Sequence, residues 1–502
     1  MKGSKQAGEN GYYPGNVATG AMDDVRLYNR ALTVSEVSDL FNFKSAGNTL
    51  LTTPAVNGAC STTLNSCVFG NFSDVPDSTA DYLWSCTGSN GGTTASCSLV
   101  IPQTPIAPIL TVPQSGTAAS CNLSDVQSTV DVAPAGSEVF VPSGTCTWNG
   151  TLVITRGINL IGSGIGKTTI TAGADPVIRY NPDATTAVRD YPLRISGFTF
   201  SLGTHYGIGL CQKTMSMSSC ANSTNDMTAI TQTKIRIDHN AFLGAYGTTH
   251  PAVEVRGAFR GVVDNNTFDS FDAPQRAWGT GSGAADWSAF GPLAFGGGDN
   301  MYFEDNTYTN AGGYIISDCD QGGRYVYRYN DISASRDLQP VFDYHGGRSS
   351  TGLYSCFSGE IYGNKINMNN HLTYLLALRG GRALAFYNLL NEAKGALNVR
   401  VYKDSGCPPV QNYYDQLINN SYFWNNRQSM SGGLLDATIT GDTCSSNPII
   451  ENSSFWSDAS SFNGTVGIGA GPLTSRPVTC TTGVGYWATN QDVNSVSSRN
   501  VG

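Results

Sequence analysis

Charged residues are scarce in this sequence, and the basic ones are the scarcer kind. Only 13% of the 502 residues are charged, with 29 Lys and Arg against 38 Asp and Glu, which gives a net charge of −9 at pH 7. Proteins that bind nucleic acid or anionic membranes carry a positive surplus, so neither is expected as a partner. No apolar run reaches the roughly 18 residues that cross a bilayer, so no membrane span is predicted.

Metal-binding cysteine spacings are also missing. The 13 cysteines form no CxxC or CxxCH motif, and no two histidines have the spacing of metal ligands, which argues against zinc and haem sites. The sparse cysteines instead fit disulfides made in an oxidising compartment, although the first residues, MKGSKQAGENGYY, lack the apolar segment of a signal peptide. We predict an extracellular or cell-surface protein whose export signal is not in this chain.

The first hundred residues contain two short units. Residues 1–45 include GAMDDVRLYNRALTVSEVSDLF, which resembles the last strand and tail of laminin-G/concanavalin-like lectin domains, so a remnant of such a domain is expected. Residues 46–101 hold four cysteines and are expected to form a small β-module, similar to Cys-rich repeats of bacterial surface proteins, which makes a bacterial source the expectation. A spacer without a ligand is the alternative for this module. Residues 102–119 are Pro-rich and are expected to be a linker.

Pairing between neighbouring cysteines is expected throughout the chain. The four cysteines of the β-module should bond among themselves: Cys60, Cys67, Cys86 and Cys97. The other expected pairs are Cys121 with Cys146, Cys211 with Cys220, Cys319 with Cys356, and Cys407 with Cys444. Because the total is odd, one thiol is left over, and Cys480 is the candidate.

Short strand-like segments that end in asparagine recur from residue 235 onward. Their asparagines lie 24 to 26 residues apart at the closest and 34 to 40 elsewhere, the longer spacing fitting a coil with an inserted loop. Such a period in strand-length segments indicates a β-solenoid. Asparagine suits a turn that needs a left-handed residue, and stacked coils would align the amides in a ladder. The expected turn residues are Asn240, Asn266, Asn306, Asn330, Asn364, Asn388 and Asn425.

A family resemblance becomes visible at this point. The segment VPSGTCTWNGTLVITRGINLIGSG, the coil period and the Asn turns resemble right-handed parallel β-helix proteins of the pectate-lyase-like superfamily, over about residues 120–470. The resemblance implies an all-β chain whose residues 120–490 form a right-handed parallel β-helix, with a small disulfide-stapled β-module on its N-terminal side. The superfamily includes lyases, hydrolases and non-catalytic adhesins, so the fold alone does not predict the activity.

Gly-Gly-Arg occurs three times, at 322–324, 346–348 and 380–382, each time after an apolar run. Two glycines relieve backbone crowding, so each pair is expected to form the corner between two strands of a coil. The following arginine would then open the next strand. Arg324, Arg348 and Arg382 are expected mainly to stack on neighbouring coils or pair with their carboxylates.

The strand before each corner carries the candidate site. Because strand side chains alternate between the two faces of a sheet, the apolar residues of VFDYHGG point inward and leave Asp343 and His345 outward. The segments VEVRGAF, LLALRGG and NVRVYKD have the same alternation. Aligning these segments on their glycine corners predicts two outward columns. Arg256, His345 and Arg379 form one column, and Glu254 and Asp343 form the other.

This stripe holds acids, bases and one of only five histidines, and a histidine between a cation and carboxylates titrates near neutral pH. A salt-bridged wall without function is the alternative. The candidate catalytic residues are Asp343, His345, Arg379, Asp320 and Asp318, with the facing of the last two unassigned. The candidate substrate-binding residues are Arg256, Glu254, Arg400, Lys403, Arg348, Trp278 and Trp287. Two inserted loops, 201–234 and 270–298, are expected to form the sides of the groove. Both tryptophans lie in the second loop, where they either stack on a sugar ring or pack the loop against the protein.

The resemblance implies a particular lyase chemistry. In the resembling lyases an Arg or Lys removes the acidic C5 proton of a uronic acid, and calcium or a second cation neutralises the carboxylate. This offers Arg379, Arg256, Arg400 or Lys403 as base or clamp. Calcium is the one cofactor considered, and none is certain; its ligands would be Asp318, Asp320 and Asp343. An arginine base needs unusual surroundings, because arginine normally stays protonated.

A glycosidase instead needs two carboxylates, about 5 Å apart for retention or about 6.5–9.5 Å for inversion, which Asp343 could form with Asp318, Asp320 or Glu254. Of the polygalacturonase motifs only a partial one, YHGG, is present. We predict an extracellular enzyme that cleaves a polysaccharide, which must be acidic for the lyase reaction, with a lyase slightly ahead of a hydrolase. The alternative is a non-catalytic adhesin or carbohydrate-binding protein.

Overall fold

The computed structural model describes residues 56–62, 66–75, 81–89, 91–100, 116–183, 190–212, 219–220, 232–247, 249–279, 295–346, 355–391, 394, 399–401, 417–429, 432–441 and 448–490. The chain divides into two units, residues 1–111 and 112–502. The lectin-like remnant expected at 1–45 lies outside the described residues. The domain boundaries expected at residues 45, 101 and 119 stay predictions.

The N-terminal unit is a small antiparallel β-module held by two disulfides. Its strands are β1 (Ala59–Cys60), β2 (Cys67–Phe69), β3 (Asn71–Val75), β4 (Asp81–Thr87) and β5 (Ala95–Val100). Strand β1 pairs with β2, while β3, β4 and β5 form a sheet. The bonds Cys60–Cys97 and Cys67–Cys86 confirm that these four cysteines pair among themselves. Disulfides supply stability that such a small apolar core cannot.

The second unit is built from three long parallel sheets. Sheet A contains β6 (Gly116–Thr117), β7 (Glu138–Val141), β10 (Asn159–Gly162), β13 (Leu193–Ser196), β16 (Gln232–Asp238), β19 (Phe259–Asp264), β22 (Met301–Glu304), β25 (Arg324–Arg328), β28 (Ser358–Tyr362), β31 (Arg382–Phe386), β34 (Ser421–Trp424) and β36 (Phe455–Ser457). Sheet B contains β8 (Gly144–Trp148), β11 (Thr168–Ala172), β14 (Thr199–Gly203), β17 (Ala241–Gly244), β20 (Thr267–Asp269), β23 (Thr307–Ala311), β26 (Asp331–Ala334), β29 (Lys365–Asn367) and β32 (Leu389–Asn391). Sheet C contains β9 (Leu152–Ile154), β12 (Ile178–Tyr180), β15 (Ile208–Cys211), β18 (Val253–Arg256), β21 (Gln275–Trp278), β24 (Ser317–Asp320), β27 (Phe342–Tyr344), β30 (Leu376–Leu378), β33 (Val399–Val401) and β35 (Ala437–Ile439).

Through most of this unit, each coil contributes one strand to each sheet in turn, which is the topology of a parallel β-helix. Helix α1 (Leu123–Val132) buries Val126 and Val130 at the start of the solenoid, and β37 (Ile468–Gly471) pairs with β38 (Gly485–Ala488) near its end. A terminal cap is needed because an open coil end would expose the core. The predicted fold class, a right-handed parallel β-helix with a disulfide-stapled module before it, is confirmed.

Asparagines form a continuous ladder between sheets A and B. The backbone N–H of Asn306 donates to Oδ1 of Asn330 at 3.0 Å, and the backbone N–H of Asn330 donates to Oδ1 of Asn364 at 3.1 Å. The predicted amide ladder is therefore confirmed. Its members are Asn240, Asn266, Asn306, Asn330, Asn364, Asn388 and Asn426.

Two details of the predicted turn are wrong. The left-handed residue is the one before each ladder asparagine, as at Tyr329 (φ 58°) and Tyr387 (φ 54°). The last member is Asn426, whereas Asn425 occupies the left-handed position with φ 52°. The ladder asparagine must keep its side-chain amide inside the turn, where it bonds to the next coil. The left-handed conformation is therefore adopted by the residue before it.

The Gly-Gly corners are structural, as predicted. Gly322 and Gly381 have φ of 86° and 72°, in the left-handed region, and a Cβ on Gly381 would lie 1.9 Å from the Cys356 carbonyl oxygen. Arg324 and Arg382 open β25 and β31. The third corner, with Arg348, lies partly outside the described residues. No helix among those described is long and apolar enough to cross a membrane.

Candidate functional site

The outer face of sheet C presents the predicted stripe. Phe342 and Tyr344 point into the solenoid and are fully buried, and Asp343 lies between them on the outer face. Asp343 pairs across the sheet with Asp318 on one side and Ala377 on the other. Asp318 and Asp320 are two residues apart on β24, so both carboxylates belong to the outer face. Their facing was unassigned from the sequence.

The first outward column joins charged residues of four coils. Glu254 pairs with Arg276, Arg276 with Asp318, and Asp318 with Asp343, which brings the predicted Glu254 and Asp343 into one column. Sequence reasoning missed Arg276. Its strand, QRAW, has the polar Gln275 at an inward position, so the apolar alternation that marked the other strands is broken there.

The second outward column contains the remaining predicted residues. Arg256 pairs with Trp278, and Trp278 with Asp320. His345 and Arg379 directly follow β27 and β30 and continue the same ladder, because the His345 amide donates to Cys319 O and the Arg379 amide to Tyr344 O. Trp278 was expected in an inserted loop; it is instead the last residue of β21, because the strand extends to the corner.

Four side chains meet at the centre of the stripe. His345 Nε2 lies 3.3 Å from Asp318 Oδ1 and 3.1 Å from Asp343 Oδ2. Arg379 donates from Nη2 to Asp343 Oδ2 at 2.6 Å and from Nε to Oδ1 at 3.1 Å. The side chains of Asp318 and Asp343 are 7% and 5% exposed, while those of His345 and Arg379 are 12% and 13% exposed. The carboxylates are thus more deeply buried than the imidazole and the guanidinium. We call these four residues the acid–base cluster.

The two carboxyl groups have opposite shifts in pKa. Burial raises the pKa of Asp318, and the nearby Asp343 carboxylate raises it further. Burial would also raise the pKa of Asp343, but the hydrogen bond and charge of His345 and the charge of Arg379 outweigh burial and lower it. Two carboxyl groups this close share one proton more readily than they both ionise. The raised pKa of Asp318 favours its protonated form, and the lowered pKa of Asp343 favours its ionised form.

These shifts predict opposite effects for two isosteric substitutions. Ionising Asp318 costs stability as the pH rises towards its raised pKa, so Asp318→Asn is expected to leave the Tm at neutral pH unchanged or higher. The lowered pKa of Asp343 contributes stability that is present at neutral pH and is lost as the pH falls through that pKa. Asp343→Asn is expected to cost about 3–5 kcal/mol at neutral pH, because Arg379 and His345 lose their buried anion.

Thermal unfolding of both variants beside the wild type, at neutral pH and near pH 3, measures this difference. The difference in Tm between Asp343→Asn and the wild type should become smaller at the lower pH. Equal destabilisation by both substitutions at neutral pH would contradict the opposite pKa shifts of Asp318 and Asp343.

A second cluster lies next to the first along the stripe. Arg256 Nη2 lies 2.9 Å from Glu254 Oε1, Arg276 Nη1 lies 3.8 Å from the same oxygen, and the Ser219 amide donates to Oε2 at 2.8 Å. Burial alone would raise the pKa of Glu254, but these partners outweigh burial and lower it. The guanidinium of Arg256 stacks at 3.7 Å on the ring of Trp278. This cluster is fully packed, and it anchors the disulfide-bonded segment of Cys211 and Cys220 to the sheet.

The other predicted site residues are not part of either cluster. Arg400 stacks at 3.9 Å on the ring of Tyr374. In the first outward column, Ala377 lies between Arg400 and Asp343. Arg348, Lys403 and Trp287 lie outside the described residues. Among the disulfides expected in this unit, Cys121–Cys146, Cys211–Cys220 and Cys319–Cys356 are confirmed, and the described Cys480 is a free thiol. Cys407 and Cys444 lie outside the described residues.

The calcium site considered from the sequence does not match the donors on this face. Potential ligand atoms of Asp318, Asp343 and His345 lie within 4.8 Å of one another. Calcium takes about six to eight oxygen ligands. Here one donor is a nitrogen, and both oxygens of Asp343 accept hydrogen bonds from Arg379. Asp320, the third ligand considered from the sequence, does not belong to this group, so the described residues do not form a calcium cage.

Comparisons with known proteins give distant structural likenesses only. No family model and no curated protein matches the chain. ORF18 of Geobacillus virus E2 has a TM-score of 0.32 at 12% identity, over 64% of this chain and 62% of that one. The PL6 family alginate lyase AlyGC has a TM-score of 0.30 at 12% identity, over 75% of this chain and 53% of that one. The family 28 exopolygalacturonase of Yersinia enterocolitica has a TM-score of 0.27 at 12% identity, over 77% of this chain and 75% of that one. At these scores the function must be argued from the site itself.

Proposed function

We propose that this chain is a polysaccharide lyase whose active site is the acid–base cluster on sheet C. The observation that carries the proposal is the difference in burial within the cluster. His345 and Arg379 are its more exposed members, and the carboxylates of Asp318 and Asp343 are more deeply buried. A substrate that approaches the outer face would meet a base and a cation, which are the two groups that β-elimination from a uronic acid requires.

His345 is better suited than any arginine to be the base. Its Nε2 is directed at Asp343, so the neutral ring carries its lone pair on Nδ1, and the buried aspartate stabilises the imidazolium that forms. Arg379 is held by two hydrogen bonds to the ionised Asp343, which keeps it protonated. Arg379 therefore serves as the cation beside the sugar carboxylate, and the arginine base considered from the sequence becomes unnecessary.

The reaction balances without water. His345 Nδ1 takes the proton from C5, the electrons of that C–H bond form the C4–C5 double bond, and the bond from C4 to the glycosidic oxygen breaks. The imidazolium of His345 then gives its proton to the leaving oxygen, which returns the histidine to its neutral form. Arg379 stabilises the negative charge that develops on the uronate carboxylate during proton removal.

Hydrolysis is the second candidate, because one observation favours it. Oxygens of Asp318 and Asp343 lie within 4.8 Å of each other, and their pKa values are shifted in opposite directions. A protonated and an ionised carboxyl group at such a distance are the pair that a retaining glycosidase uses. Both groups are deeply buried, however, which places the lyase first.

The test is to incubate the purified protein with polygalacturonate, alginate and a neutral glucan. Ultraviolet absorbance measures the conjugated double bond that only elimination creates, and a reducing-end assay measures every cleaved bond. A lyase raises both signals equally on an acidic polymer. A rise in reducing ends without absorbance would establish hydrolysis instead. Binding without either signal would favour the non-catalytic alternative.

A further inference from the structure

Three tyrosines lie along one edge of sheet C, just before strands of the stripe begin. Tyr206, Tyr314 and Tyr374 precede the first residues of β15, β24 and β30 by two, three and two positions. Sequence reasoning did not single them out. Tyr206 and Tyr374 share one register position and Tyr314 lies one residue earlier, so all three are at the start of the strands, opposite the end where His345 and Arg379 lie.

Two of the three rings are already covered. Tyr206 stacks on His250 with ring centroids 4.1 Å apart, and Tyr374 is covered by the guanidinium of Arg400 at 3.9 Å. Tyr314 differs from both. It is 42% exposed, and within the described part of the chain no aromatic ring or cation stacks on it. An exposed aromatic ring between two covered ones leaves a flat apolar surface open to solvent.

The backbone of Tyr314 is fixed although its ring is exposed. Gly312 and Gly313 precede it with φ of 140° and 102°, and a Cβ on Gly313 would lie 2.2 Å from a carboxylate oxygen of Asp272. Its own carbonyl accepts the Gln339 amide at 3.1 Å, and the next amide, that of Ile315, donates to Asp272 O at 2.8 Å. The ring is therefore presented from a rigid corner, which lowers the entropy lost when a ligand stacks on it.

The surroundings of Tyr314 connect it to the acid–base cluster. Tyr314 lies on the same coil as Asp318, four residues before it, and the charges of Asp343 and Asp318 add to partial burial in raising the pKa of its phenol. Arg379 and Arg276 act on it in the opposite direction. An aromatic face next to groups that do acid–base chemistry is the arrangement in which a pyranose ring packs its C–H face on the aromatic ring.

We propose that Tyr314 is a substrate-contacting residue, whose ring is the stacking platform for a sugar unit next to the cleaved bond. This inference rests on the proposed function and adds a specificity-determining residue to it. The function of Tyr314 would lie in its ring rather than in its hydroxyl group. Loss of the ring should weaken substrate binding more than it slows the chemical step.

The experiment compares Tyr314→Ala, Tyr314→Phe and a control, Tyr329→Ala. Tyr329 is 52% exposed but belongs to the turn after sheet A, away from the stripe. On whichever of polygalacturonate and alginate the wild type cleaves, Tyr314→Ala should raise KM about five- to tenfold. Tyr314→Phe and Tyr329→Ala should stay within about twofold of wild-type KM, since the first keeps the ring and the second leaves the site intact.

Calorimetric binding of tetragalacturonate and of an alginate tetrasaccharide separates this inference from the proposed function. Binding that is lost in Tyr314→Ala and kept in Tyr329→Ala supports the platform even if the wild type cleaves neither polymer, a result that would overturn the lyase alone. An unchanged KM and affinity in Tyr314→Ala would overturn the platform. The same follows if Tyr314→Phe is as impaired as Tyr314→Ala, or if the wild type binds neither tetrasaccharide.

Discussion

Replacing His345 with glutamine is expected to reduce the rate of polymer cleavage by about 10²–10⁴-fold, the usual contribution of a positioned general base. Glutamine fills a similar volume and can still donate to Asp343, but its amide cannot accept a proton from carbon. Most of the loss should appear in kcat, because the base acts in the chemical step and not in binding. Steady-state kinetics by ultraviolet absorbance measures it.

The control for this variant is His239→Gln. His239 is also paired with an aspartate, with Nδ1 2.8 Å from Asp238 Oδ2, but it lies in a turn after sheet A. This variant should keep wild-type activity. If His345→Gln retains more than about a tenth of the wild-type kcat while folded, His345 is not the base. In that case Asp318 and Asp343 would be the groups to substitute next, under the hydrolytic mechanism.

The fold was predictable because its signals are periodic. The Asn ladder repeats once per coil, since a side-chain amide that bonds both the preceding and the next coil has few substitutes. The position of the left-handed residue was not predictable from that repeat. His239, Asn265, Asp305, Tyr329 and Tyr387 share no chemistry, and only the backbone reveals their common φ.

The columns of the candidate site were predictable from the sequence, whereas the contacts between its side chains were less so. Alternation and register placed Asp343, His345 and Arg379 on one face, which needs only the strand period. The alternation of apolar and polar residues fails at Gln275, because this polar side chain points into the solenoid. There its Oε1 accepts a hydrogen bond from the Tyr308 hydroxyl at 2.7 Å. An inward polar residue is invisible to a pattern based on apolarity, so Arg276 was missed. The sequence also gave no sign that the ring of Tyr314 is uncovered. The two glycines before it are not accompanied by the Asn or Arg that marked the other turns and corners.

The depth of burial was the other unpredictable property. Glu254 and Arg256 were expected as outward residues in reach of a substrate, and both do lie on the outer face. Their side chains are nevertheless only 0% and 2% exposed. Ser219, from the segment tied by Cys211 and Cys220, closes over Glu254 through its amide and hydroxyl. Which outward positions a loop covers depends on tertiary packing, which has no period in the sequence.

That burial predicts a large effect for Glu254→Gln. The substitution keeps the shape of the side chain but removes the carboxylate that Arg256 and Arg276 both approach, at 2.9 and 3.8 Å. A buried cation that loses its partner typically destabilises a protein by about 3–5 kcal/mol, a large share of the roughly 5–15 kcal/mol that holds a domain folded. Ser219 would also lose a charged acceptor for its hydroxyl group.

Urea unfolding of Glu254→Gln beside Glu304→Gln measures the difference that burial makes. Glu304 pairs with Arg328 on sheet A, but their side chains are 20% and 23% exposed, so water can replace part of the lost interaction. We expect a loss of at most about 1 kcal/mol there, close to that of a surface pair. Equal losses in the two variants would mean that Glu254 is hydrated and accessible, and the second cluster would then belong to the substrate groove instead of its supporting wall.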